Sequence, residues 1–299
     1  MSTAIFTNKL YANELLSITL CLGPHGPDNV LRVGRVFMAI KETLEQLRDL
    51  YVDLIATPNS PQPQTMALWP NPTLHPSESQ SIPKLEFFAK ANRVNGRPLS
   101  VIDEGNERHA LYLARMELKT SGQTEASTQE VFVKFAPRYN QDAHRLLAGH
   151  NPPLAPVLHF CARVVGDMYM IIMEYVPESR GRCADPRALP GGPPLPRNLP
   201  QVVKRDVSEA LRLLHEKRWV FGDLREPNLL YLPDANGGRV LLVDFDGAGL
   251  DGEGRYSACL NPDAGLSASV ERGQIMKKEH DVENFELVLE RLNGWFSKR

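Results

Sequence analysis

The sequence predicts an α+β fold, and three observations carry that reading. Short apolar runs separated by turn clusters crowd into residues 85–174, helical periodicity marks 33–54 and 202–214, and an isolated apolar run at 239–243 ends directly on Asp244. Of 299 residues, 42% are hydrophobic and 23% charged, enough to build a sizeable core in one large domain or two small ones.

The first element in order is a helix from Val33 to Leu54. Val33, Phe37, Ile40, Leu44, Leu47, Tyr51 and Leu54 recur in steps of three and four, with Lys41, Glu42, Glu45, Arg48 and Asp49 between them. Such a stripe is expected to pack in a core; a helix offered to a partner is the rarer use. Residues 1–55 therefore form an N-terminal helical extension. Residues 56–84 hold Pro58, Pro61, Pro63, Pro70, Pro72, Pro76 and Pro83, a composition that cannot sustain a helix and reads as a linker or an extended strap over a surface.

Strands are expected from Leu85 onward. Leu99–Ile102 and Ala110–Met116 flank the turn-rich residues 103–107, and Val131–Phe135 follows a polar loop, giving three consecutive antiparallel strands. Residues 141–149 read as a short helix ending at Pro152–Pro153, and Val157–Cys161 and Met168–Glu174 as two further strands. Residues 178–200, rich in Pro, Gly and Arg, interrupt the pattern as an insertion between two lobes. Val203, Val207, Ala210, Leu211 and Leu214 then describe a helix closed by His215.

Charge and cysteine usage narrow the setting. A net charge of −2 provides no electrostatic footprint for nucleic acid or an anionic membrane, so neither is an expected partner. Cys21, Cys161, Cys183 and Cys259 lie far apart with no C-x-x-C pair, as in a reducing compartment, cytoplasmic or nuclear. Leu15–Leu22 is too short to span a bilayer and lacks the basic flank of a signal peptide.

The chemistry is concentrated in residues 219–249. Asp223 precedes Asn228 by five positions, and the chain returns through the apolar run to Asp244. Phosphoryl transfer from a nucleotide needs such groups in one small space. One carboxylate orients or deprotonates the attacking hydroxyl, while a carboxylate and an amide hold the magnesium that neutralises charge on the phosphate oxygens. An Asp and Asn after a helix more often shape a turn; the order helix, loop, hairpin, strand-end Asp favours chemistry.

With these residues in view, the chain resembles the protein-kinase-like superfamily, and within it the fungal-type protein-kinase-like proteins. The shared wording is Val131-Phe132-Val133-Lys134-Phe135, Ala143 to Ala148, Leu154-Ala155-Pro156, Met173 to Val176, Gly222 to Asn228, Asp244 to Gly249, Gly252 to Tyr256 and Asn261-Pro262. Covering roughly residues 85–299, the resemblance implies a bilobal kinase-like fold: an N-lobe and hinge over 85–177, and a C-lobe over 178–299 that stops one helix past Asp281. By position it implies that Lys134 contacts the nucleotide phosphates and that Asp142 is the helix acid paired with it. Met173, Glu174, Tyr175 and Val176 become the hinge that receives adenine. Asp223 becomes the catalytic carboxylate, Arg225 a contact to the transferred phosphate, and Asn228 and Asp244 the magnesium ligands. Asp281 corresponds to the acid that hydrogen-bonds the catalytic-loop backbone. ATP and magnesium are the implied cofactors, and the implied acceptor is a protein or a small hydroxyl compound.

Several positions depart from the family wording. Phe221 stands where His is usual, and an aromatic ring can fill the same space. Gly222-Asp223 is the wording of aminoglycoside- and choline-type small-molecule kinases. Asp246 replaces the glycine of D-F-G and adds a negative charge near the metal, and Gly105 is the only glycine in the turn where a phosphate-cradling loop is usual. Three functions follow as alternatives: an active ATP- and magnesium-dependent phosphotransferase, a pseudokinase acting as a nucleotide-binding or scaffold protein, or an interaction protein using the 33–54 helix.

Overall fold

In a computed structural model of the chain, the residues described are 2–6, 9–13, 26–56, 69–91, 110–118, 127–187, 193–235, 237–258 and 260–298. The chain divides into two compact units, Met1–Trp69 and Pro70–Arg299, with the boundary inside the segment expected as a linker.

In the first unit, strands β1 (Ser2–Phe6) and β2 (Lys9–Asn13) pair antiparallel, followed by helix α1 (Gly26–Ala56). The hairpin precedes the helix of the expected helical extension, and Thr3, Ile5, Phe6 and Tyr11 are β-branched or aromatic residues that suit strands. The helix holds; of its stripe, among the described side chains, Phe37, Ile40 and Leu44 are exposed and Leu47 is half-buried. A helix of 31 residues runs about 46 Å, far longer than a hairpin of two five-residue strands.

The second unit is α+β, the class expected from sequence. Strands β3 (Leu85–Lys90), β4 (Leu111–Leu118), β5 (Ser127–Ala136), β6 (Leu158–Val164) and β7 (Met168–Glu174) form one antiparallel sheet in the order β3-β4-β5-β7-β6, with helix α2 (Gln141–Ala148) between β5 and β6. The strand expected at Leu99–Ile102 and the Gly105 turn lie outside the described residues. Asn140 caps α2 by accepting from the Ala143 amide at 2.9 Å, which offsets one of the unpaired first-turn donors.

Between linker and strap, the described part of the Pro-rich segment is a strap. Leu74 bridges Val164, the Arg163 amide donates to Glu78, and Gln80 donates to the Cys161 carbonyl, so residues 73–80 run along the β6 edge. Leu74 and Ile82 pack on a cluster formed by Val131, Val133, Phe160, Val164 and Met170.

The remaining elements are β8 (Arg182–Cys183), α3 (Leu199–Glu216), β9 (Trp219–Val220), β10 (Leu229–Leu232), β11 (Arg239–Leu242), β12 (Gly249–Leu250) and α4 (Lys278–Phe296). The main core joins sheet residues Ile171 and Met173 to Ala143 and Leu147 of α2, Val203 and Val207 of α3, and Val288 and Leu292 of α4. Phe221, Leu224, Leu229 and Phe245 belong to the same core. The loops that bear Asp223 and Asp244 are thus rooted by their own apolar residues. Among the described residues no helix is long and apolar enough to cross a membrane.

Candidate functional site

Strand periodicity places Lys134. Val131, Val133 and Phe135 pack on one face of β5, while Phe132 and Ala136 join the main core on the other, which Lys134 shares. Its Nζ lies 2.7 Å from Asp244 Oδ1 and 2.7 Å from Asp246 Oδ2. Burial alone would lower the lysine pKa, but the two carboxylates outweigh it and hold the ammonium well above its ordinary range. Asp142, the expected partner of Lys134, is instead exposed in the first turn of α2. Its side chain suits the helix N-terminus it occupies, and the lysine's ion pairs go to Asp244 and Asp246.

The loop after β9 is fixed from below. Asp281, fully buried at the start of α4, accepts from the amides of Phe221 at 2.7 Å and Gly222 at 2.9 Å, with His215 Nε2 a further 3.0 Å away. This is the backbone contact expected of Asp281. Gly222 is required by geometry: at φ +76° a Cβ would fall 2.4 Å from Met276 Cε and 2.8 Å from the Gly247 carbonyl oxygen. Leu224 then enters the core, while Arg225 adopts extended backbone and returns its guanidinium to Asp223, at 2.8 and 3.1 Å. Asn228, buried in a 3₁₀ turn (Glu226–Asn228), donates Nδ2 to the Asp223 carbonyl at 2.8 Å and to its carboxylate at 2.7 Å. Burial raises the Asp223 pKa, Arg225 opposes that rise, and the charge of Asp244 adds to it.

Asp244 lies two residues past β11 at φ +71°, a left-handed conformation that costs an aspartate about 1 kcal/mol and occurs where the surroundings over-determine it. The Val243 amide donates to the Asn228 carbonyl at 3.0 Å and the Phe245 carbonyl accepts from the Asn140 amide at 3.3 Å, which tie this loop to the Asp223 loop and to α2. Phe245 is fully buried between His144, stacked at 4.6 Å, and Phe221, edge-on at 5.4 Å. Phe221 therefore fills space beneath the Asp244 loop as its aromatic character suggested. Asp246 keeps one oxygen on Lys134, while its buried Oδ1 has no hydrogen-bond partner. Burial and the neighbouring Asp244, against the pull of Lys134, push its carboxyl up to about 7.

The structure forms two sets, Lys134 with Asp244 and Asp223 with Arg225 and Asn228, tied by the Val243–Asn228 backbone bond, and leaves Asp142 out of both. Met173 pairs with Phe132 at the end of β7, Glu174 binds Arg180 at 3.2 Å, and Tyr175 and Val176 continue past the strand with their backbones unpaired among the described residues. Two participants escaped sequence reasoning. Asp246 was expected as a stray charge near a metal, not as a counterion of Lys134. His144, whose Nδ1 and Nε2 lie 2.7 Å from the Tyr139 hydroxyl and the Pro156 carbonyl, looked like any helix histidine.

No family model matches the chain, and no curated protein matches it. Among solved structures it is similar to the Cydia pomonella granulovirus kinase PK-1, at 18% identity over 70% of this chain and 68% of that chain, with a TM-score of 0.41. A superposition that loose leaves the side chains to decide what the site can do.

Proposed function

We propose that the chain binds ATP with magnesium and transfers a phosphoryl group to a hydroxyl of a protein or small molecule. The observation that carries this is the meeting of a strand lysine with a loop carboxylate 110 residues later, Lys134 Nζ to Asp244 Oδ1 at 2.7 Å, beside the hydrogen-bonded Asp223–Asn228 pair. Magnesium suits the donors present. Asn228 spends Nδ2 on Asp223 and so offers Oδ1, and with the Asp244 carboxylate this makes an oxygen-only set for a hard cation. When bound, the ion neutralises charge on the phosphate oxygens. Lys134 supplies a point charge to the phosphates, and Tyr175 and Val176 offer backbone groups to the base. Asp223, its carboxyl raised by burial, takes the acceptor's proton once Arg225 turns from it to the phosphate.

A nucleotide-binding scaffold without catalysis is the second reading. It is favoured by Arg225 already neutralising Asp223 and by the extra carboxylate of Asp246 on Lys134. One experiment separates the two: Mg-ATP melting shifts and phosphotransfer in wild type, Asp244→Ala and Asp223→Asn. Asp244→Ala is expected to lose the shift with its fold intact, and Asp223→Asn to keep the shift and lose transfer. A full shift in Asp244→Ala would sink the assignment. Transfer equally absent from wild type and Asp223→Asn would leave the scaffold.

A further inference from the structure

Lys134 is only 13% exposed at its side chain, so its ammonium needs an anionic partner in every state of the site, and a carboxylate anchor to hold it in place before the phosphates arrive. On the reading above, Asp244 is drawn to magnesium when nucleotide binds, and its charge is then spent on a divalent ion. α2 offers no substitute, because its first-turn acid, Asp142, is exposed and apart from the lysine. Among the described residues the carboxylate that remains ion-paired with it is Asp246, with Oδ2 2.7 Å from Nζ and Oδ1 buried without a hydrogen-bond partner.

We infer that Asp246 is the positioning residue that keeps Lys134 aimed at the phosphates, in place of an acid on α2. The inference rests on the nucleotide reading for its purpose, but the pairing stands on geometry alone. The lysine and its anchor then sit on a strand and on the Asp244 loop, whose Phe245 is fixed in the core. Movement of α2 is not needed to assemble the pair. Asp246 touches neither substrate nor metal in this role; it acts through Lys134.

Two measurements test it. The first is the rate at which an amine-acylating reagent labels Lys134, read by mass spectrometry without nucleotide, in wild type, Asp142→Ala, Asp244→Asn and Asp244→Asn/Asp246→Asn. Lys134 should stay slow to label in Asp244→Asn, because Asp246 alone still holds it. It should label on the order of tenfold faster in the double variant, with Asp142→Ala like wild type. Equal rates in Asp244→Asn and the double variant, or fast labelling in Asp142→Ala, overturn the inference. The second is calorimetric affinity for a non-hydrolysable magnesium–nucleotide in wild type, Asp246→Asn, Lys134→Met and the pair combined. Asp246→Asn should weaken binding about tenfold, and should weaken it no further once Lys134 is gone. Additive losses, or unchanged affinity in Asp246→Asn, overturn the positioning role. No binding by wild type, with the labelling pattern as expected, removes the nucleotide reading and leaves the pair.

Discussion

Asp281 and Asp246 serve two neighbouring loops in opposite ways. Asp281, with no exposed surface, satisfies the Phe221 and Gly222 amides and meets His215, so the Asp223 loop is held by neutral backbone donors that no ligand can draw away. Asp246 is ion-paired with a lysine that it shares with Asp244, and its buried Oδ1 has no hydrogen-bond partner. Hydrogen bonds to backbone build a rigid support, whereas a shared ammonium is a charge balance that an arriving cation or phosphate can redistribute. One loop is a fixed platform; the other is held by a balance of charge that ligand can change.

The largest test of that contrast is Asp281→Ala. It leaves two buried amides and His215 without their acceptor, and a loss of about 4 kcal/mol in urea unfolding is expected. A loss under about 1 kcal/mol would show that water or the neighbouring backbone supports the loop equally well.

His144 sharpens the comparison, because it stacks on Phe245, which in turn meets Phe221 of the other loop. Burial, against the Pro156 bond, lowers its pKa to about 4, so the folded protein keeps it neutral. The unfolded chain binds the proton first, so this stability is complete above the ordinary histidine pKa and drains as pH falls toward 4. The difference between wild type and His144→Phe across that window should reach roughly 3 kcal/mol. Parallel pH profiles for the two proteins would place the acid sensitivity elsewhere.

Asp246→Asn should show the smallest effect on the ligand-free fold, under about 1 kcal/mol, since Lys134 keeps Asp244 and an orphaned carboxylate oxygen is replaced by a neutral group. A melting loss comparable to Asp281→Ala would mean the two loops are anchored alike.

Much of this molecule could be read from local pattern. The strands at 131–135 and 168–174, the helices at 141–149 and 202–214, and the apolar run before Asp244 all reappear, because period-two and period-3.6 burial leave marks on neighbouring residues. The spacing of Asp223 and Asn228 placed both in one loop, and the 3₁₀ turn Glu226–Asn228 is what sets the amide against the carboxylate. The first sheet strand at Leu85–Lys90 and the strap beside β6 were less legible, because their partners lie far along the chain.

Which acid holds Lys134 was decided by tertiary structure alone. Asp142 and Asp246 are both aspartates near expected site residues, and no spacing rule separates them. The sequence by itself determined that a lysine on a strand, an Asp–Asn loop and a strand-end Asp exist in that order. Only the packing of Phe245 between His144 and Phe221 sets the loop so that Asp246, 112 residues from Lys134 in sequence, reaches its ammonium while α2 turns Asp142 to solvent. Electrostatic partners are chosen by distance in space, and local pattern records burial, not the address of the opposite charge.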